Sequence, residues 1–176
     1  MAGLDQFIIP VKGLHLGMHN YRFEVDDGFF KEKQSTVVES GKFEVNVELD
    51  KHIDLMVLNI SFSGKWRTSC DRCTADIAIP VDGQSEYLIK YATEESDDGD
   101  VIYIMRESSE INVSDLILDT ITVGMPLSRT YDCESERPKP CDDEVLGKLR
   151  HNANEDNISS PGNPWSDLLG LLSKEE

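Results

Sequence analysis

The sequence of 176 residues predicts an α+β protein, with a mostly antiparallel β sheet or partly open barrel and one or two short helices. Residues 41–50 alternate apolar and polar side chains with a period of two, and several further segments rich in β-forming residues follow them. Residues 113–123 instead carry apolar side chains at helical spacing. Short polar breaks separate the predicted strands, which favours hairpins and therefore antiparallel pairing.

The clearest strand is the alternating segment at residues 41–50, whose apolar positions define one buried face. Residues 53–62, dense in Ile, Leu, Val and Met, predict a more buried partner strand. Gly64 is expected to mark a bend or a bulge. The dipeptide Asp82-Gly83 is interpreted as a turn between two later strands. The segments that extend the sheet are residues 66–69, 77–81 and 86–91.

The chain beyond this sheet is predicted to contain a loop, a short strand and a helix. Residues 94–100 carry five carboxylates and are interpreted as an exposed loop. Residues 101–105 return as a short strand. A helix over residues 113–123 would be capped by Ser114 or Asn112, although its β-branched residues leave a strand as the alternative.

One β-rich domain is predicted over residues 1–149, since a chain of this length can bury one core. Residues 150–162 are polar and without periodicity, which predicts a flexible linker. Residues 163–173 follow as a short amphipathic helix, which either docks on its own core or binds a groove in a partner. The apolar face of that helix consists of Trp165, Leu168, Leu169 and Leu172, of which the first three are predicted to contact a partner.

The charge is strongly acidic, with 34 Asp and Glu against 17 Lys and Arg and a formal net charge of -17. Such a surface repels phosphate, which disfavours binding of nucleic acid without sequence preference. It favours a basic partner such as a lysine-rich ribosomal protein, the alternative being simple solvation. No apolar run reaches the roughly 18 residues of a membrane helix, and we expect a cytoplasmic protein.

The four cysteines suggest a structural zinc site rather than disulfides, since we expect a reducing compartment. Cys70 and Cys73 form a Cys-x-x-Cys motif at a predicted turn between strands, where two thiolates can converge on one zinc ion. Cys133 and Cys141, separated by seven residues, would complete a site of four cysteines. Buried thiols are the alternative. A redox motif is disfavoured because strands, and not a helix, flank the pair.

The sequence contains none of four common catalytic or nucleotide-binding motifs, which are GxxxxGK, GxGxxG, HExxH and GxSxG. We therefore expect no enzymatic activity. One small group combines basic and aromatic side chains, as contacts to RNA often do. Its members are Lys65, Trp66, Arg67 and Arg72.

Two adjacent motifs carry a family resemblance: GKW at residues 64–66 leads into CDRC at residues 70–73. This pattern resembles the C-x-R-C segment of the YceD family, the large ribosomal RNA subunit accumulation proteins of bacteria. Further similarities occur in the same order along the chain, at residues 5–10, 113–126, 133–141 and 163–172. Many members carry a second tight cysteine pair, whereas Cys133 and Cys141 are widely spaced here.

The resemblance implies a role in accumulation of large-subunit ribosomal RNA and implies no reaction. Together with the charge, it leads to the hypothesis of a noncatalytic ribosome biogenesis factor that binds a basic ribosomal protein or a large-subunit precursor. The alternative is a zinc-dependent RNA-binding or RNA-processing protein that uses the cysteines and the nearby basic residues.

Overall fold

The computed structural model describes residues 4–92, 96–98, 101–130 and 137–155, without the side chains of residues 96–98 and 150–155. Two compact units divide the chain. The first, which we call the sheet unit, comprises Met1–Ser69 and Asp76–Tyr131. The second, which we call the cysteine unit, comprises Cys70–Ala75 and Asp132–Glu176.

The described strands all belong to the sheet unit. They are β1 (Ile8–Pro10), β2 (Gly17–Val25), β3 (Gly41–Lys51), β4 (Leu55–Ser69), β5 (Asp76–Ala92), β6 (Ser96–Asp98), β7 (Val101–Met105) and β8 (Glu110–Asn112). A 3-10 helix at Leu4–Phe7 precedes them, and the α-helices are α1 (Asp27–Glu32), α2 (Ser114–Val123) and, in the cysteine unit, α3 (Asp143–Glu155).

The main sheet has six strands in the order β2-β3-β4-β5-β7-β6, and β1 pairs with β8 in a separate two-stranded sheet. All pairs are antiparallel except β5 with β7, which run parallel. The main sheet is open between its edge strands β2 and β6. The α+β class with mostly antiparallel pairing is therefore confirmed, and the sheet does not close into a barrel.

One face of the sheet forms the core because apolar residues occupy every second position of its long strands. On β3 the buried positions run from Phe43 to Leu49 at alternate residues, and on β4 they run from Met56 to Phe62. Helix α2 packs against β4 and β5. A chain of aromatic rings crosses this core with centroids 4.9 to 5.9 Å apart, formed by Phe7, Phe29, Phe30, Phe43 and Phe62.

Two glycines predicted to interrupt strands lie inside continuous ones. Strand β4 passes through Gly64 in unbroken register with both neighbouring strands, so no bulge lies there. A Cβ at Gly64 would lie 2.2 Å from the carbonyl oxygen of Lys42 and close to Phe43. Strand β5 likewise passes through Asp82-Gly83, so the predicted turn is wrong. A Cβ at Gly83 would lie 2.7 Å from the ring of Phe62. Both glycines are therefore needed for close packing.

The predictions for the later chain are confirmed in part. Helix α2 lies where expected, but its N-cap position is Val113 without a side-chain cap, so the predicted cap at Ser114 or Asn112 is wrong. The Asn112 Oδ1 atom still accepts a hydrogen bond from the Ser114 N–H at 2.9 Å. The predicted loop at residues 94–100 contains strand β6, which pairs with β7. Helix α3 continues through residues 150–155, which the sequence analysis assigns to the linker.

The rest of the predicted linker, residues 156–162, lies outside the described residues, as does the predicted helix at residues 163–173. The same holds for three residues predicted to contact a partner: Trp165, Leu168 and Leu169. These assignments stay predictions. No helix among the described residues is long and apolar enough to cross a membrane.

Candidate functional site

The turn Cys70–Ala75 connects β4 to β5 and belongs to the cysteine unit. The Cys70 N–H donates to the Ala75 carbonyl at 2.8 Å, and the Thr74 N–H donates to the Cys70 carbonyl at 2.9 Å. Thr74 has a φ of 59°, a left-handed conformation that tightens the turn. Both Cys70 and Cys73 are buried, with 3% and 1% of their surface exposed. The sequence prediction of a Cys-x-x-Cys motif at a turn between strands agrees with this geometry.

Backbone N–H groups are directed at both sulfur atoms of this turn. The Arg72 N–H donates to Cys70 Sγ at 3.4 Å, two residues along the chain. Hydrogen bonds from the backbone of Ala75 and then of Asp142 lower the pKa of the Cys73 thiol, against the opposing effect of burial. The thiols of Cys70 and Cys141 lower this pKa further. Hydrogen bonds to the Cys73 sulfur therefore outweigh the effect of its burial on the pKa.

Cys141 joins these two cysteines although it lies far away in sequence. Its thiol and the adjacent backbone of Asp142 both contact Cys73, and the Cys141 side chain is partly exposed. We call Cys70, Cys73 and Cys141 the thiol cluster. Thiolates are the ligands that zinc prefers in proteins.

The fourth predicted ligand, Cys133, lies outside the described residues. In the part of the chain that the structure describes, no group of three or more His, Cys, Asp or Glu is arranged to hold a metal ion. The site of four cysteines therefore stays a prediction, of which the structure brings three thiols together.

Trp66 was predicted to contact RNA or a partner, but only 6% of its surface is exposed. Its position on β4 explains the burial, since it shares the core-facing side with Phe62 four residues earlier. The alternation of β4 could have shown this from the sequence. Burial of the ring removes it from the surfaces that can stack on a base.

Arg67 is exposed on the sheet unit, and its guanidinium is paired with the Asp27 carboxylate. The Asp27 Oδ1 atom also accepts hydrogen bonds from the Gly41 N–H at 2.9 Å and the Ser40 hydroxyl at 3.2 Å. The hydrogen bond from Arg67 and then that from Gly41 lower the pKa of Asp27. This arrangement links β4 to α1, and the sequence analysis did not identify Asp27.

The other predicted basic contacts are exposed. Lys65 lies on β4 opposite Lys42 of β3, so two lysines are cross-strand neighbours. Arg72 is exposed in the turn of the cysteine unit. The structure therefore leaves Lys65 and Arg72 accessible, while Trp66 is in the core.

A broad polar surface covers the side of the main sheet opposite the core, and we call it the open face. Strand pairing aligns Glu44 with Ser63 and Asp82, and Glu48 with Asn59 and Glu86. None of these four carboxylates forms an ion pair with another described residue. The polar and acidic members of the open face are Glu44, Asn46, Glu48 and Asp50 of β3, Asn59, Ser61 and Ser63 of β4, and Asp82, Gln84 and Glu86 of β5. Lys42 of β3 and Lys65 of β4 lie on the same side, at one end of this surface.

A depression of about 350 Å³ lies on this face and is lined by residues that include Glu48, Asn59, Gln84 and Glu86. Its side chains present carboxylates, amides and hydroxyls, which can accept hydrogen bonds from lysine or arginine. Sequence reasoning missed this surface because the carboxylates come from separate strands. The polar positions of each strand were visible, but their cross-strand register was not.

The fold and these surfaces define a small acidic α+β protein with a cysteine turn between two long strands. The family description "Large ribosomal RNA subunit accumulation protein YceD" matches residues 58–172, which is more than half of the chain. The chain belongs to the YceD family. The match includes the cysteine turn and confirms the family predicted from the motifs. Comparisons with curated proteins and with solved structures gave no match.

The family description links the protein to accumulation of the large ribosomal RNA subunit. It names an accumulation protein and no reaction. The description names no partner, no metal and no mode of action.

Proposed function

We propose that this protein is a noncatalytic factor that supports accumulation of large-subunit ribosomal RNA by binding a basic partner. The partner is a large-subunit ribosomal protein rich in lysine and arginine, either free or on a precursor particle. The observation that carries the proposal is the open face, where Glu44, Glu48, Asp82 and Glu86 have no cation to neutralise them among the described residues.

Charge complementarity supports this partner class. The formal net charge of -17 accelerates encounter with a cationic protein and repels the phosphate backbone of RNA. On the open face, carboxylates lie beside Asn, Ser and Gln side chains, which can satisfy the remaining donors of a bound lysine or arginine. A basic segment therefore finds both charge and hydrogen-bond acceptors on one surface.

The shape of the open face supports a binding role over catalysis. Its depression lies on one face of a sheet and is partly open to solvent, so water would keep access to any bound group. Enzymes usually exclude water from the reacting atoms, because electrostatic stabilisation is far stronger in a closed site. We therefore assign the open face to recognition.

The alternative is an RNA-binding or RNA-processing protein that depends on zinc. Because Trp66 is buried, its ring cannot stack on an RNA base. The Asp27 carboxylate pairs with Arg67 and neutralises its charge. Lys65 and Arg72 remain as cations for phosphate. Because each such contact is weakened by salt, direct RNA binding through these two residues would be salt-sensitive.

The test is capture of purified large-subunit proteins by the full chain at moderate salt. We expect the double variant Glu48→Lys/Glu86→Lys to weaken capture by about tenfold or more, since both changes put like charges opposite the basic partner. The matched control, Glu32→Lys/Glu39→Lys, makes the same change of net charge at two exposed positions away from the open face.

Equal losses in the two double variants would contradict the role of the open face and assign binding to net charge alone. Absence of any captured ribosomal protein would overturn the proposal. Capture that disappears on ribonuclease treatment and in Lys65→Ala/Arg72→Ala would favour the RNA-binding alternative instead.

A further inference from the structure

We propose that the basic partner binds through an amphipathic helix, whose apolar stripe covers a row of apolar side chains beside the carboxylates of the open face. We call this row the apolar row. The inference rests on the function proposed above and deepens it, because it states which kind of segment of the basic partner is recognised. The members of the apolar row are Met18, Val57, Leu88 and Val101.

Strand register places the apolar row on the same side of the sheet as the open face. Val57 of β4 is aligned with Leu88 of β5, and Leu88 is aligned with Val101 of β7. In the other direction, Val57 is aligned with Asp50 of β3, and Asp50 with Met18 of β2. Because aligned residues of neighbouring strands point to the same face, the row crosses the sheet next to the acidic positions.

The apolar row is accessible to a partner. Met18 has 55% of its surface exposed, and the other three members are partly exposed. Helix α2 packs on the opposite, core-facing side of the sheet, where the buried Tyr87 hydroxyl lies 3.0 Å from the Thr120 hydroxyl. Apolar side chains that are grouped on a solvent-facing surface and bordered by polar residues are typical of an interaction site.

Charges of opposite sign border the two sides of the apolar row. On one side, Glu48 of β3 and Glu86 of β5 lie two positions along their strands, about 7 Å away. On the other side, Lys90 lies two positions further along β5. Asp50, the polar position within the row, contacts His52 at 3.1 Å. A bound segment therefore needs cations on the flank that faces Glu48 and Glu86, and none on the flank that faces Lys90.

The spacing of these groups suits a helix that lies across the strands. Glu48 and Glu86 are two strands apart, which corresponds to about 10 Å. Residues seven positions apart on a helix lie on the same side and are separated by about 10.5 Å. Two such cations can therefore reach both carboxylates while the neighbouring apolar stripe covers Val57 and Leu88. Binding of an amphipathic helix through its apolar face is a common mode of recognition.

The test measures binding of two synthetic peptides to the full chain by calorimetry at moderate salt. The leucine peptide is a helix with leucines along one stripe and lysines along one flank. In the alanine peptide, alanine replaces every leucine, which keeps the charge and the helix propensity. We expect the leucine peptide to bind about tenfold or more tightly, because its leucines lose contact with water on the apolar row.

Variants locate the binding site. The double variant Val57→Ser/Leu88→Ser should weaken binding of the leucine peptide by about tenfold and leave that of the alanine peptide unchanged. Met18→Ser, at a more exposed position, should weaken it by a smaller factor and provides the test if the double variant fails to fold. The matched control Val37→Ser/Val123→Ser removes two exposed apolar side chains outside the open face and should have no effect.

Three results would overturn the inference. The first is equal affinity of the leucine and alanine peptides for the wild-type protein. The second is tighter binding of the leucine peptide by Leu168→Ser/Leu169→Ser, which would assign the row to the chain's own carboxy-terminal segment. The third is a dimer in light scattering that Val57→Ser/Leu88→Ser dissociates, which would assign the row to a second copy of the chain.

Failure of this inference and failure of the proposed function have different signatures. Capture of large-subunit proteins that depends on Glu48 and Glu86 but is unchanged in Val57→Ser/Leu88→Ser would contradict the apolar row and leave the proposed function intact. Absence of any captured ribosomal protein would overturn the function, whatever the peptides bind. Loss of capture in both double variants, with capture retained in Val37→Ser/Val123→Ser, is the expected result.

Discussion

The sheet unit and the cysteine unit are stabilised by different means. In the sheet unit, apolar residues at alternate positions of β3 and β4 form a core that contains a chain of aromatic rings. In the described part of the cysteine unit, the buried side chains are two cysteines, and the polar contacts surround sulfur atoms. Burial of apolar area accounts for the first unit, whereas backbone hydrogen bonds hold the turn Cys70–Ala75 of the second.

This difference explains which surfaces are available for function. An antiparallel sheet needs to bury only one face, so the opposite face can carry polar residues at little cost in stability. The open face can therefore specialise in recognition. The turn Cys70–Ala75, in contrast, buries both of its cysteines, so a substitution at either one changes the packing of the turn.

The largest effect on the sheet unit is expected from Phe43→Ala. Phe43 is fully buried between the rings of Phe30 and Phe62, and its truncation should lower the free energy of unfolding by about 3–5 kcal/mol. Urea denaturation followed by far-UV circular dichroism measures this loss. The matched test in the cysteine unit is Cys141→Ser, which should change the same transition by less than about 0.5 kcal/mol. Equal losses would remove the distinction between the units.

A smaller effect is expected from Gly64→Ala. The added methyl group would meet the Lys42 carbonyl oxygen and the Phe43 backbone, which cannot move without breaking the pairing of β3 with β4. We expect a loss of roughly 1–3 kcal/mol in the same denaturation experiment. The control is Gly147→Ala in α3, where nothing lies within 4 Å of the new methyl group. Helix propensity should make that change neutral or stabilising by up to about 1 kcal/mol.

The smallest effect is expected from Asp27→Asn, which removes the charge that pairs with Arg67. An exposed ion pair of this kind contributes roughly 0.2–1 kcal/mol at pH 7. The pKa of Asp27 in the folded protein lies below its unfolded value of about 3.9, so the stabilisation is present above that value. It is lost as the pH falls through the folded pKa.

Denaturation of the wild type and of Asp27→Asn at pH 7 and pH 3 measures this effect. The difference between the two proteins should be greatest at pH 7 and should shrink at pH 3. The control Glu24→Gln removes a more exposed pair, with 3.8 Å between Glu24 and Lys42, and should have almost no effect. A difference that grows at low pH would contradict the assigned role of Asp27.

Much of the sheet could be predicted because its signal is local. The alternation in residues 41–50 predicted β3 within one residue, since burial of every second side chain is a property of a single strand. Strand β5 was divided wrongly because Asp82-Gly83 has the composition of a turn. Its actual role depends on the Phe62 ring in another strand, which no local pattern shows.

The candidate sites, like the sheet, could be predicted only where their residues lie close together in the sequence. The turn Cys70–Ala75 was predictable because both cysteines lie within four residues and have strands on either side. The contact of Cys141 with Cys73 was predicted only as the completion of a zinc site, and the contribution of Asp142 was missed. The pairing of Arg67 with Asp27 joins residues forty positions apart, and only the fold brings them together.

The pairing of β1 with β8 affects how the protein folds during synthesis. Ile8 pairs with Asn112, and the Val113 N–H donates to the Phe7 carbonyl at 3.0 Å, so the first strand has its partner near the end of the sheet unit. At ordinary rates of translation, roughly 5–20 s separate the synthesis of the two strands. The strand pairing of the amino-terminal segment therefore forms only after the ribosome has produced residues 110–112, whereas Phe7 can pack against Phe23 and Phe29 much earlier.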